Sequence, residues 1–169
     1  MFRGSDNVTL DAKGRMVLPT RVREELAALG DQRIVVTEDR DQSHLLIYPL
    51  ADWEVKQAEI LAKPDLLDEE AAWLKAVMVG NARDMEPDGQ GRLLLPAELR
   101  EDVGLDREAR LFGQGIYLAL WDVRRWKAHA EARKSAPRPS VPTVQLADLN
   151  LSGSAHRASP RDTNQDKDK

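Results

Sequence analysis

The apolar positions of this chain fall into short runs, several of which are written twice. Val8-Thr9-Leu10 and Met16-Val17-Leu18 are β-prone runs on either side of Asp11-Ala12-Lys13-Gly14. This spacing predicts a hairpin, because an Asp side chain can bond the backbone N–H groups of a turn and glycine can take φ > 0. Pro19 ends the second strand, since it has no N–H to give a ladder, and Thr20 is placed to cap a helix. Val22, Leu26 and Leu29 recur at spacings of four and three, which predicts an amphipathic helix from Thr20 to Leu29, stopped by Gly30. Ile34 to Thr37 reads as a buried strand, Glu38 to Ser43 as a polar turn, and His44 to Tyr48 as a second strand closed by Pro49. A helix beginning near Ala51 carries Trp53, Val55, Ile60 and Leu61 until Pro64 interrupts it. Another starts near Asp68, with Leu67, Ala71, Leu74 and Met78 on one face and Gly80 at its end.

The second half then repeats the first. Asp11-Ala12-Lys13-Gly14-Arg15-Met16-Val17-Leu18-Pro19 returns as Asp88-Gly89-Gln90-Gly91-Arg92-Leu93-Leu94-Leu95-Pro96, at an offset of 88 − 11 = 77 residues. Ala82 to Glu86 precedes the second turn, Pro96 to Arg100 matches Pro19 to Arg23, and Leu111-Phe112 matches Ile34-Val35. Beyond a shortened turn at Gln114-Gly115 the offset becomes 121 − 48 = 73, and Tyr48 to Trp53 aligns with Trp121 to Trp126. The expected organisation is a first repeat over 5–53, a helical connector over 54–80, a second repeat over 81–126 and a helical extension over 127–134. A flexible tail over 135–169 follows, where Pro and Ser accumulate without aromatic residues. Val144 to Leu151 is the apolar exception in that tail, either a docking segment or a transiently structured one. One copy of about 40 residues is too small to close a core alone, whereas two copies paired pseudo-symmetrically share one. Such pairing brings both turns toward a common surface.

Composition narrows the chemistry. A chain of 169 residues, 41% hydrophobic and 32% charged, is that of a soluble globular protein. With no cysteine there is no disulfide framework or thiolate metal site, and His44, His129 and His156 show no paired ligand spacing, so neither metal nor cofactor is expected. The start lacks the apolar core of a signal peptide and no run approaches the ~20 apolar residues of a membrane span, so a cytoplasmic location is expected. The net charge of −4 argues against coating nucleic acid by bulk charge, but leaves open a site-specific binder with a local basic surface. From Ala51 to Val79, three lysines face seven acids, which marks the connector as a packing surface rather than a DNA-facing one. No phosphate loop, nucleophile with base, or metal constellation points to an enzyme or a small-molecule substrate.

Several of these residues together resemble one family. Met1-Phe2-x-Gly4, Leu10-Asp11-x-Lys13-Gly14-Arg15 with Pro19, Tyr48-Pro49 with Trp53, Gly80-Asn81-Ala82, Asp88-x-x-Gly91-Arg92-x-Leu94-Leu95-Pro96, and Trp121 with Trp126 resemble the bacterial MraZ transcriptional regulators. Each half is similar to an AbrB-type swapped-hairpin module. The resemblance implies a mainly β fold with flanking helices, a double-split β-barrel built from two pseudo-repeats. It also implies a homo-oligomeric ring, nucleoid association, and recognition of G-rich direct repeats before the protein's own gene, at the head of a division and cell-wall gene cluster. The family's DNA-contacting pair maps onto Asp11 and Arg15 and onto Asp88 and Arg92, with Lys13 at the tip near phosphate. Gly14 and Gly91 keep the tips slim, and a purely turn-forming role accounts as well for the two aspartates and two glycines. The first tip has Arg3, Lys13, Arg15, Arg21 and Arg23 close in sequence, while the second has Asp84, Glu86 and Asp88 around Arg92, so the first is expected to dominate. In the helix before the second repeat, where the family is basic, this chain has Lys75 alone. The alternatives are an AbrB-fold antitoxin that binds DNA and a toxin, and a ring scaffold that does not bind DNA.

Overall fold

The computed structural model describes residues 1–64 and 68–136. Eight short strands and five helices alternate along the body: β1 (Ser5–Thr9), β2 (Arg15–Val17), α1 (Thr20–Ala28), β3 (Ile34–Glu38), β4 (Leu45–Pro49), α2 (Leu50–Leu61) and α3 (Glu69–Leu74), then β5 (Arg83–Met85), β6 (Arg92–Leu94), α4 (Ala97–Asp102), β7 (Glu108–Gly113), β8 (Leu118–Asp122) and α5 (Val123–Ser135). This is the expected mainly β fold with flanking helices. The strands form a six-stranded sheet in the order β1-β7-β8-β4-β3-β5 and a two-stranded sheet, β2-β6.

The order of the larger sheet records the duplication. Exchanging equivalent strands, β1 with β5, β3 with β7 and β4 with β8, reads it backwards. The centre of symmetry falls on Leu46 opposite Ala119 in one sheet and Met16 opposite Leu93 in the other. Both pairs are sequence equivalents, at offsets of 119 − 46 = 73 and 93 − 16 = 77.

The local hairpin read from spacing is corrected in one respect. The turn between β1 and β2 closes, with Asp11 N–H donating to Arg15 O at 2.9 Å, but the strands then part. β1 pairs with β7 and β2 with β6, so each half completes the sheets of the other. The swapped arrangement follows from burial. The apolar sides of β1 and β2 (Val8, Leu10, Met16, Leu18) enter one core together with Leu93, Leu95, Leu111 and Leu118 from the second half. A second core lies on the other face of the large sheet, where Val35, Leu46, Tyr48 and Trp121 meet Trp53, Ile60 and Met78. The central strands are thus covered on both faces, which is why they read as unbroken apolar runs.

Helix boundaries agree with the spacing, with two differences. Pro19, not Thr20, occupies the N-cap of α1; Thr20 is the first helical residue and its hydroxyl accepts from Arg23 Nη2 at 2.9 Å. The stretch after Asp68, whose carboxylate caps Ala71 N–H at 3.1 Å, runs as α3 and then widens into a π-helical segment over Lys75–Gly80. Inside that segment the Met78 carbonyl accepts from the buried Thr37 hydroxyl at 2.6 Å. Of the tryptophans, Trp53 and Trp121 are buried, Trp126 packs at a tilt against Phe112, and Trp73 is exposed. Leu67, the Val144–Leu151 segment and His156 lie outside the described residues. No helix among the described residues is long and apolar enough to cross a membrane.

Candidate nucleic-acid interface

The two turns are built alike, bond for bond. Asp11 Oδ1 accepts from Lys13 and Arg15 N–H, both at 2.9 Å, and Gly14 N–H returns to Asp11 O at 2.9 Å. Asp88 Oδ1 accepts from Gln90 and Arg92 N–H, both at 2.9 Å, and Gly91 N–H returns to Asp88 O at 2.7 Å. Gly14 (φ 82°) and Gly91 (φ 73°) are left-handed, and each lends its carbonyl to the other half: Leu95 N–H donates to Gly14 O, and Leu18 N–H to Gly91 O. A side chain at Gly14 would also meet the Arg100 guanidinium, with Cβ 2.6 Å from its Nε, and one at Gly91 would collide with Arg23. Glycine is favoured at both places by its left-handed backbone conformation, and any side chain there would also have to displace the neighbouring arginine.

Each aspartate also aims an arginine. Arg15 Nε donates to Asp11 Oδ2 at 2.7 Å, and Arg92 Nε to Asp88 Oδ2 at 2.7 Å. The Nη nitrogens of both arginines have no protein partner among the described residues. Register places both on one surface. Arg15 lies opposite Leu94, and Val17 opposite Arg92, while Met16 and Leu93 turn inward. The outer face of β2-β6 therefore displays two forked cations and two exposed aliphatic side chains, Val17 and Leu94. The turns stand at opposite ends of this ladder.

The bonds set the charge state of the aspartates. Asp11 is lowered from 3.8 to about 2, chiefly by the Arg15 backbone N–H, then by the Arg15 side chain and by Lys13 N–H. Asp88 is lowered to about 2 in the same way, by Arg92 first and then Gln90. For a carboxylate depressed on folding, the stabilisation is complete above pH 3.8 and is lost as pH falls through about 2. A side-chain carboxyl NMR titration is expected to show both midpoints near 2, and Arg15→Ala to raise Asp11 while leaving Asp88 in place. A midpoint near 3.8 for Asp11 in the parent chain would mean that the turn bonds are absent in solution.

The structure brings Asp11, Lys13, Gly14 and Arg15 together at one tip, and Asp88, Gly91 and Arg92 at the other. It separates the basic cluster that sequence placed at the first tip. Arg21 is committed to Asp6 at 2.5 Å, and Arg23 crosses to the second turn, donating to Leu18 O at 3.2 Å beneath Gly91. Its equivalent, Arg100, crosses to the first turn and donates to Leu95 O at 3.2 Å. The repeat alignment holds the signal for this exchange, since 100 − 23 = 77. Arg107 also stands beside the first turn, and no repeat signal points to it. Beside the second turn stand Thr20, Arg23, Glu24, Leu26, Ala27 and Gln32. His44 and His129, distant in sequence, flank Trp121 at 4.2 and 4.9 Å between ring centres.

Comparison with known proteins matches residues 1–75 and 78–145 to a family model described as "MraZ protein, putative antitoxin-like". The chain belongs to the MraZ family. It is 41% identical over 152 residues to the transcriptional regulator MraZ of Thioalkalivibrio sulfidiphilus, covering 89% of this chain and all of that relative. Proteins of the same name from Pseudomonas aeruginosa and Marinomonas sp. are 42% and 45% identical over 152 residues, with the same coverage. The MraZ resemblance seen in the twinned motif is thereby established along most of the chain.

Proposed function

We propose that this MraZ-family chain is a sequence-specific DNA-binding transcriptional regulator that represses its own division and cell-wall gene cluster through G-rich direct repeats upstream. The observation that carries the reading is the pair of arginines on the outer face of β2-β6. Each is fixed through Nε by its own aspartate, leaving the Nη donors uncommitted. A guanidinium held in that way is pre-oriented to bond guanine O6 and N7 in the major groove, which a narrow β-ribbon can enter. Asp11 and Asp88 position the forks, Lys13 meets phosphate, and Gly14 and Gly91 shape the tips. The relatives' name, transcriptional regulator, supports the same conclusion.

Two arginines per chain supply only modest discrimination, at about 1–3 kcal/mol for each good bidentate contact. Assembly into a homo-oligomeric ring adds affinity by engaging neighbouring repeats at high effective concentration. The charge distribution suits a head-to-tail contact of that kind: the segment from Ala51 to Val79 has seven acids to three basic residues, whereas α5 has five basic residues and one acid. DNA and further copies of this chain are the partners in this reading, in the cytoplasm and on the nucleoid. No cofactor is required.

A footprint of the full chain on its own upstream DNA tests the proposal. Protection spanning several adjacent direct repeats is expected, and its loss in the Arg15→Ala/Arg92→Ala double variant. Unchanged protection by the double variant would remove the arginines from the reading, and protection of a single repeat would remove the ring. The family description also mentions antitoxins, which favours a toxin-binding role as the second reading. Two repeats within one chain speak against it, since an antitoxin of this fold has one copy and dimerises.

A further inference from the structure

We propose that a shallow concavity of about 300 Å³ beside the first turn is a phosphate-binding site, with Arg107 as the residue that completes it. Its lining includes Arg15, Arg92 and Arg107, with Asp11 as the only acid, and that acid is already bonded to Arg15. Arg15 is bonded to Asp11 and Arg92 to Asp88, so Arg107 leaves this lining with an excess of positive charge and a guanidinium whose N–H donors are uncommitted.

Arg107 reaches this place through the swapped fold. Leu10 N–H donates to its carbonyl at 2.8 Å, which pins the segment after α4 against the first turn. Its side chain is exposed and has no ion pair or hydrogen bond among the described residues. Other exposed arginines nearby are occupied: Arg124 holds Asp106 at 2.9 Å. An arginine that is unpaired in the protein, beside two whose Nη donors are turned to base edges in the proposed function, fits an anion with several oxygens. The backbone phosphodiester of duplex DNA has that chemistry, and an identification with DNA rests on the function proposed above; free phosphate shares it.

The site occurs once per chain. Val8 pairs with Ala109 and its equivalent Met85 with Ile34, an offset of 109 − 34 = 75 at this point, so the equivalent of Arg107 is Gln32, an exposed but uncharged side chain beside the second turn. Arg107 thus breaks the pseudo-symmetry and assigns the first tip a phosphate clamp that the second lacks.

The full chain with Arg107→Ala or Arg107→Lys tests this, using a repeat-containing duplex, a scrambled duplex and inorganic phosphate followed by phosphorus NMR. Arg107→Ala is expected to weaken both duplexes by a similar factor, on the order of three- to tenfold. It should also flatten the logarithmic salt dependence by about one for each subunit engaged. Arg107→Lys should recover part of both effects, because a phosphate contact needs charge more than fork geometry. Unchanged affinity and slope in Arg107→Ala, with Arg15→Ala still losing the repeat duplex, would overturn the site and leave the proposed function standing. Loss confined to the repeat duplex at an unchanged slope would also overturn it, because Arg107 would then be reading bases. If the parent chain binds neither duplex but broadens the phosphate signal, and Arg107→Ala does not, the site stands and the DNA reading fails. An unaltered melting curve, expected for an exposed side chain, excludes loss of fold as the cause.

Discussion

Arg15→Ala is expected to lower affinity for the direct-repeat duplex by on the order of tenfold to a hundredfold, and Arg92→Ala by only a few-fold. The upper scale follows from one bidentate arginine–guanine contact, at about 1–3 kcal/mol and a factor of ten for each 1.4 kcal/mol. The inequality cannot come from the arginines themselves. Their bonds to aspartate are equal at 2.7 Å, and their side chains are 45% and 44% exposed. It comes from what surrounds each tip. The first tip has Lys13 where the second has Gln90, and Arg107 where the other has the uncharged Gln32. β5 and its flank carry Asp84 and Glu86 at the places of Asn7 and Thr9, so the approach to the second tip also repels phosphate. Titration of each single variant at one salt concentration checks the prediction. Equal losses would show that the two tips contribute alike, whatever their surroundings.

The same comparison shows which parts of the site were legible in the sequence. The tips were legible because their chemistry is local: an aspartate, two residues, a glycine and an arginine bond to one another within a single turn. Repetition at 77 residues then exposed the second tip. The exchange of strands was not legible from the alternation of residues, because period-2 patterning identifies a strand and its buried face but not its partner. β1 and β2 are adjacent in sequence, and both pair with the other half. That exchange is why the basic cluster was misassigned. Arg23 lies four residues after Pro19 yet packs beneath the second turn, while Arg100 and Arg107, from the second half of the chain, support the first. The clustering of His44, Trp121 and His129 was hidden for the same reason, since it depends on the pairing of β4 with β8.

Leu93→Ala is expected to destabilise the fold by about 2–5 kcal/mol, the range for truncating a buried leucine when its surroundings relax only in part. Leu93 is 1% exposed and faces Met16 at the centre of the two-stranded ladder. That ladder has three residues in each strand. A two-stranded ribbon is marginal by itself, so its order depends on the side chains that it sends into the shared core. Met16 and Leu93 supply that anchorage, with Leu18 and Leu95 just beyond it, and all four are within 1% of full burial. For a domain of this size the loss corresponds to a fall in melting temperature on the order of ten degrees. Leu94→Ala provides the contrast: its side chain is 55% exposed on the opposite face, and a change there should stay within about 0.5 kcal/mol. Because the ladder also bears Arg15 and Arg92, Leu93→Ala should lose DNA affinity as temperature rises at points where Leu94→Ala keeps its fold. Thermal melts followed by circular dichroism at a fixed protein concentration check this. A Leu93→Ala melt within a degree of the parent would mean that the two-stranded ladder is not anchored through its centre.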